Sequence, residues 1–290
     1  PSWWSPWGRG RPGWHMECST MSIKYLGVQI DIHGGGQDLI FPHHENEIAQ
    51  SEAYSDKKPF VKYWLHNGFV NINSEKMSKS LGNFITIKEA LTKYPGEVLR
   101  FLLVSTHYKK PIDFTETQVE KASRTLDKFY ISLDYLTQYS DIISNYIDSD
   151  IKKSLSEEEK ELLYKIENDF IEAMNDDFDV HNAILALLEL VRYINSNMEN
   201  PCSFSIVFID EAFKALTDLG ETLGLFLDYK YPSEEAKQIK KTINYLLKIR
   251  DNARSEKNYN LADQIRDRIV KIGFLVKDFE KFSLYQRIKK

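Results

Sequence analysis

The pattern of apolar residues changes once along this chain of 290 residues, at about residue 86. Residues 1–85 are rich in glycine, histidine and aromatic side chains, and short apolar runs at 27–32 and 64–72 predict strands separated by functional loops. From residue 86 onwards apolar residues recur every three to four positions, which predicts amphipathic helices packed as a bundle. We therefore expect an α/β domain over 1–85, an all-α bundle over 86–232 and a small basic helical segment over 233–290.

Capping residues mark where several of these helices begin. A hydroxyl residue followed three positions later by Glu or Gln satisfies two backbone N–H groups at a helix start. The pattern occurs at residues 86–89, 115–118 and 156–159. Further helices are expected at about 204–219, 234–256 and 259–272, with a linker at 229–233.

Charge and cysteine content limit the class of protein. With 38 basic and 43 acidic residues the formal net charge is −5, so any contact with nucleic acid is expected to be local. Two cysteines, Cys18 and Cys202, give no disulfide framework and suit a reducing cytoplasm. Because no apolar run approaches the ~18 residues of a membrane span and no signal peptide is visible, we expect no membrane partner. The basic residues near the end, which can neutralise RNA phosphates or form salt bridges on helix faces, are Lys240, Lys241, Lys248, Arg250, Arg254, Lys257, Arg266, Arg268 and Lys271.

A candidate metal site combines Cys18 with two histidines and a glutamate that follow about 25 residues later. Pro42 can start a helix, and on that helix His43 and Glu47 would share a face four residues apart. A thiolate, an imidazole and a carboxylate form a plausible zinc set, although the spacing leaves open whether His43 or His44 binds. The alternative is structural, with a cysteine in the core and a histidine pair at a helix end.

A candidate nucleotide site has two halves. Gly34, Gly35 and Gly36 let backbone N–H groups approach an anionic ligand, and Asp38 is placed to accept hydrogen bonds from ribose hydroxyls. About forty residues later Lys76 and Lys79 flank small residues in a loop that suits phosphate binding. Each half has a simpler interpretation, as a tight turn and as a solvated basic loop.

In this order the motifs resemble the cysteinyl-tRNA synthetases, a family of class I aminoacyl-tRNA synthetases. Long matching stretches lie at residues 3–8, 10–19, 31–39, 41–50 and 75–84, and weaker similarity continues at 96–101, 174–178 and 261–267. The resemblance implies a Rossmann-like class I catalytic domain, represented here by its C-terminal half. It also implies that the helical bundle binds the anticodon and that the basic final segment binds tRNA.

The resemblance further implies an activity, a metal and its ligands. Cysteine and ATP would form cysteinyl-adenylate, from which cysteine is esterified to tRNA(Cys). By analogy with the family, zinc is held by Cys18, His43 and Glu47 and binds the substrate thiolate, which selects cysteine against serine. Trp14 would line the side-chain pocket beside Cys18.

The nucleotide residues are likewise implied by the resemblance. His33 would join the glycines and Asp38 in holding adenosine, and ATP would enter with magnesium. The loop residues implied to contact the phosphates, with the two lysines acting in the transition state, are Lys76, Met77, Ser78 and Lys79.

Some features depart from the family. Its His-Ile-Gly-His box does not occur in the sequence, so we expect that box and a further zinc-ligand cysteine to belong to an N-terminal part outside it. Residues 279–290 replace the usual family ending, so detailed anticodon recognition by the tail is not implied. The sequence 179–181 stands where a threonine is usual, and we assign no function to it.

Two other functions remain open. A cysteine ligase of mycothiol synthesis would share the zinc and adenylate sites, but the basic C-terminal helices argue against it. A non-catalytic RNA-binding fragment would not need intact Cys18, His43, Glu47 and loop lysines. We therefore expect a monomeric cytoplasmic ligase with one zinc per subunit, whose partners are tRNA(Cys), L-cysteine and ATP.

Overall fold

The computed structural model describes residues 2–72, 75–77, 82, 84–143, 152–279 and 283–287. They form two compact units, one built from Pro1–Phe84 and Tyr108–Thr115 and the other from Ile85–His107 and Glu116–Lys290. The predicted ranges 1–85, 86–232 and 233–290 remain a prediction about domains. No helix within the described ranges is long and apolar enough to cross a membrane.

The first unit is an α/β structure. Its described helices are α1 (Trp14–Leu26) and α2 (Glu45–Ser55). Its described strands are β1 (Trp3–Ser5), β2 (Gly8–Gly10), β3 (Ile30–Gly36), β4 (Val61–Asn67), β5 (Val70–Ile72), β6 (Glu75–Lys76) and β7 (Ile112–Asp113). β1 and β2 form a hairpin, and β5 pairs antiparallel with β6 and parallel with β7.

The β3–α2–β4 segment forms the frame of this unit. β3 and β4 are parallel, with their register running from Ile30 opposite Val61 to Gly36 opposite Asn67, and parallel neighbours need a crossover such as α2. A small apolar core lies at the N-terminal ends of the two strands and is formed by Ile30, Phe60 and Val61. In parallel sheets ligands bind beyond the carboxyl ends of the strands, which here carry the glycine triplet and His66.

The glycine triplet does not form the tight turn of the simpler interpretation, because its residues are the last three of β3 and pair with β4. A Cβ on Gly35 would lie 2.7 Å from the His44 ring, and one on Gly36 would lie 2.5 Å from the Asp38 carboxylate. The His44 ring is buried and cannot move aside, so Gly35 requires glycine for packing within the chain, whereas the half-exposed end of the Asp38 side chain can shift away from position 36. That requirement was not evident from the sequence.

The second unit is mainly helical, as the apolar periodicity predicts. Its described helices are α3 (Ile87–Lys93), α4 (Gly96–Val104), α5 (Glu116–Ile143), α6 (Glu157–Asn175), α7 (Val180–Asn197), α8 (Ile206–Thr222), α9 (Leu227–Lys230), α10 (Glu234–Ser255) and α11 (Tyr259–Lys271). The predicted capping boxes form at Thr86 and Ser156, and α5 begins directly after Thr115. Side chains with no exposed surface form the core of the bundle, namely Leu126, Phe129, Leu133, Ile166, Leu187, Leu190, Ile194, Phe208 and Leu216.

The C-terminal part contains a hairpin as well as the two expected helices. β8 (Phe274–Asp278) and β9 (Ser283–Arg287) are antiparallel. The Gln138 side chain on α5 donates to the Tyr285 carbonyl at 3.0 Å and accepts from the Tyr285 N–H at 3.2 Å. The amide of Gln138 thus pairs with the strand as a neighbouring peptide group would, and it fixes β9 against the bundle.

Three residues of the expected linker and basic faces have structural roles instead. Tyr229 belongs to α9 and donates a hydrogen bond to Asp134 at 2.8 Å, so the linker prediction was wrong there. Lys240 is half-buried over the Tyr229 ring, and burial lowers its pKa. Arg250 is only 3% exposed and makes a two-pronged salt bridge with Asp278 at 2.7 and 2.8 Å.

Candidate functional site

Cys18, His43 and Glu47 converge in the first unit. Cys18 lies on α1, His43 lies in the helical turn Ile40–His44 that leads into α2, and Glu47 is four residues further on α2. One donor atom from each residue lies within 4.8 Å of the others. The i, i+4 spacing brings His43 and Glu47 together, whereas Cys18 arrives through the packing of α1 against α2. The structure therefore brings the predicted ligand residues into one cluster.

Glu47 is the most unusual group of the cluster. Its side chain has no exposed surface, and neither oxygen accepts a hydrogen bond of normal geometry from the described residues. His43 Nε2 nevertheless lies 2.6 Å from Glu47 Oε1, and we interpret this contact as two ligand atoms that face a common point. A buried carboxylate without hydrogen bonds costs several kcal/mol unless a cation compensates it.

Burial also sets the protonation of the cluster. It raises the pKa of Glu47 to about 7. Burial, followed by the charges of Glu47 and Glu17, raises the pKa of the Cys18 thiol. Burial and then the neighbouring His15 lower the pKa of His43, which keeps this imidazole neutral. A cation is therefore the partner that would let the thiolate and the carboxylate ionise together at neutral pH.

A second donor group shares Glu47. Donor atoms of His33, His44 and Glu47 also lie within 4.8 Å of one another, and His33 Nε2 is 3.6 Å from Glu47 Oε2. Burial and then the charges of neighbouring histidines lower the pKa of His44 to about 4. The Trp64 ring lies 4.7 Å from the His33 ring and 4.8 Å from the His44 ring, between centroids. The geometry alone therefore does not decide whether His43 or His44 binds a metal. The group with His43 also contains the Cys18 thiol, which makes it the better fit for zinc.

Trp14, which is predicted to line the pocket for the substrate side chain, lies beside His43. Its ring centroid is 4.2 Å from that of His43, and Trp14 is 57% exposed. The indole therefore presents an apolar face directly beside the candidate metal ligands.

Two further histidines each contact one histidine of these donor groups, and the sequence did not identify them. His15 Nδ1 lies 2.8 Å from His43 Nδ1, and His66 Nε2 lies 2.8 Å from His44 Nδ1. His15 precedes Cys18 by three residues on the same helix, which is a usable signal for a shared face. His66 lies at the end of β4 and becomes a neighbour only through the parallel pairing of the strands.

The two predicted halves of the nucleotide site are brought together. Lys76 Nζ lies 3.3 Å from the Asp38 carboxylate and 3.9 Å from the centre of the Phe69 ring. Both partners of the ion pair are about half exposed, so the pair itself contributes little stability and both groups are accessible to a ligand. Met77 continues from β6 and donates its N–H to the Val70 carbonyl. Ser78 and Lys79 lie outside the described residues, and the contacts of His33, the glycines and Asp38 with adenosine remain predictions.

Comparison with known proteins identifies the family. The family model described as tRNA synthetases class I (C) catalytic domain matches residues 1–124, and the DALR domain matches residues 169–227. The chain is 42% identical to the cysteine–tRNA ligase of Thermococcus gammatolerans, covering 100% of this chain and 60% of that protein. It is 45% identical to the cysteine–tRNA ligase of Lachnospira eligens, covering 96% and 56%, and 44% identical to that of Caldicellulosiruptor saccharolyticus, covering 100% and 59%.

The chain belongs to the cysteinyl-tRNA synthetase family. It spans a little over half the length of the relatives that it matches. Its fold is also similar to that of LeuRS from Agrobacterium radiobacter in a ternary complex with tRNA and LeuAMS, with a TM-score of 0.50 and 18% identity. That match covers 69% of this chain and 26% of the LeuRS chain, and it agrees with a class I catalytic domain followed by a helical domain.

Proposed function

We propose that the protein is a cysteine–tRNA ligase, which activates L-cysteine with ATP to cysteinyl-adenylate and transfers the cysteine to tRNA(Cys). The observation that carries this proposal is the buried Glu47 carboxylate, which accepts no hydrogen bond from the described residues and lies within 4.8 Å of donor atoms of His43 and Cys18. A thiolate, an imidazole and a carboxylate fit zinc, and the three ligands of this chain leave coordination positions for the expected N-terminal cysteine and for a substrate atom.

Cys18, His43 and Glu47 would hold the metal. When bound, zinc supplies a soft Lewis acid that accepts a thiolate as a ligand. Cysteine therefore has a specific bond to make at this position, whereas the hydroxyl of serine is a poor ligand for the same site. A site built around one specific bond rejects the analogue lacking it by a factor on the order of 10⁴.

The remaining residues would orient the substrates. Trp14 forms an apolar wall next to His43 and limits water around the side chain of the amino acid. Asp38 has an accessible carboxylate that suits ribose hydroxyls, and Lys76 is a cation within 3.3 Å of it. We assign Lys76 to the phosphates, where a cation stabilises the charge that develops during adenylate formation, and we propose the same role for Lys79. Magnesium would enter with ATP.

The partners follow from this reaction. The proposed tRNA contacts lie on α10 and α11, excluding Lys240 and Arg250, whose side chains are used in the packing of the second unit. We also propose that the protein acts as a monomer in the cytoplasm.

The test is ATP–pyrophosphate exchange with the full-length protein, followed by charging of tRNA(Cys). We expect exchange that depends on cysteine, discriminates against serine and is followed by charging. Exchange without charging would instead favour a cysteine ligase with an amino-sugar acceptor. Absence of both activities in a folded, zinc-loaded protein would refute the proposal and favour an RNA-binding role.

A further inference from the structure

A pair of histidines connects the two helices that carry the candidate metal ligands. His15 lies in the first turn of α1, three residues before Cys18, and its Nδ1 faces the Nδ1 of His43 at 2.8 Å. The two rings are tilted by 50°, with centroids 4.9 Å apart. This distance is that of a hydrogen bond, so one of the two nitrogens carries the proton and the other accepts it.

The direction of this hydrogen bond decides which atom of His43 is available. His43 Nε2 points at Glu47 Oε1, 2.6 Å away, so Nε2 is the atom that faces the candidate metal position. A ligand nitrogen must present a lone pair, and a neutral imidazole then carries its proton on the other nitrogen. Therefore Nδ1 of His43 must be the donor and Nδ1 of His15 the acceptor when a metal is held.

We propose that His15 is a positioning residue of the metal centre. By accepting the Nδ1 proton of His43, it fixes the tautomer and the orientation of that ligand, with Nε2 directed to the metal. The inference rests on the proposed zinc site formed by Cys18, His43 and Glu47. Because His15 and Cys18 share one turn of α1, the same rigid element sets the position of the thiolate and the tautomer of the imidazole ligand.

The chain offers a matched control for this role. His66 makes a second histidine–histidine contact of 2.8 Å, but its partner is His44, which belongs to the other donor group. The two pairs have the same length and lie in the same unit. Replacing His66 therefore tests a similar disruption that leaves the partner of His43 in place.

The experiment measures the zinc dissociation constant of the full-length protein by competition with a chromogenic chelator. Loss of the partner of a ligand histidine weakens metal binding by about 10- to 100-fold, and we expect this for His15→Ala. His15→Asn keeps an acceptor oxygen near the position of Nδ1 and should remain within about threefold of the wild type, as should His66→Ala. Tryptophan fluorescence and circular dichroism check folding, and cobalt substitution should show the same thiolate charge-transfer band in every variant.

Each outcome decides the matter. Equal zinc affinity in His15→Ala and the wild type refutes the inference, and so does an asparagine variant as weak as the alanine variant. A larger loss in His66→Ala than in His15→Ala would assign the metal to the group of His33 and His44, which also overturns the inference. A wild-type protein without zinc affinity would refute the proposed zinc site itself, so the two failures are distinguishable. If the alanine variant does not fold, the asparagine variant and His15→Gln carry the comparison.

Discussion

Neutralising Glu47 should stabilise the metal-free protein and destabilise the zinc-bound protein. Burial raises the pKa of Glu47 from 4.5 to about 7. The folded and unfolded pKa values differ by about 2.5, and at about 1.4 kcal/mol for each pH unit this difference corresponds to about 3.5 kcal/mol. The folded state holds the proton more tightly, so the free energy of unfolding falls as the pH rises from 4.5 to 7. Above pH 7 the metal-free protein carries the full free-energy cost of burying the ionised carboxylate, and Glu47→Gln removes this cost.

The assay is urea unfolding followed by tryptophan fluorescence. All five tryptophans lie between residues 3 and 64, so the signal reports on the first unit alone. In chelator at pH 8 we expect the free energy of unfolding of Glu47→Gln to exceed that of the wild type by up to about 3.5 kcal/mol, and at pH 5 by less than about 1 kcal/mol. With excess zinc the order should reverse, because the wild type gains binding free energy that the variant loses.

The control is Glu45→Gln, which lies on the same helix but is exposed and should change stability by less than about 0.5 kcal/mol. If Glu47→Gln is no more stable than the wild type in chelator at pH 8, the carboxylate is not a buried, uncompensated group. If zinc fails to reverse the order, Glu47 is not a metal ligand.

Three other perturbations test separate parts of the structure. Below pH 7 zinc binding must displace protons from both Cys18 and Glu47, so the logarithm of the zinc association constant should rise by about two per pH unit. If Cys18→Ala keeps this slope of two, the thiol is excluded as a ligand. Asp38→Asn should raise the KM for ATP in the exchange reaction at unchanged zinc content, and an unaltered KM would remove Asp38 from the nucleotide site. Gln138→Ala should lower the free energy of unfolding by about 2–4 kcal/mol, because it removes both buried hydrogen bonds that the Gln138 side chain makes with the main chain of Tyr285. Urea unfolding followed by circular dichroism compares this loss with that of Gln238→Ala, a control at an exposed position. Equal losses in the two variants would contradict the prediction.

Local features of the sequence were sufficient for much of the fold. Helix periodicity and two capping boxes predicted the helices of the second unit, because both signals act within a few residues. The pair His43 and Glu47 was likewise predicted from one helix turn. Cys18 was predicted as a ligand from the chemistry of its thiol and from the resemblance to the family.

Contacts between distant residues could not be read in the same way. His15 meets His43 across 28 residues and His44 meets His66 across 22, and both contacts depend on how helices and strands pack. A tight turn was the simpler interpretation of the glycine triplet because glycine permits one, whereas the need for glycine at position 35 depends on the His44 ring beside it. The hairpin β8–β9 was missed because its strands are short and do not alternate clearly between apolar and polar residues.

The attachment of β9 to α5 has an evolutionary consequence. Gln138 binds the N–H and C=O of residue 285, which every amino acid except proline provides, so the contact recognises main chain rather than a particular sequence. Side chains on the outer side of the hairpin, such as Leu275, which is 46% exposed, can therefore change without releasing the strand. The sequence of a tail held in this manner can diverge while the position of the tail on the bundle is inherited.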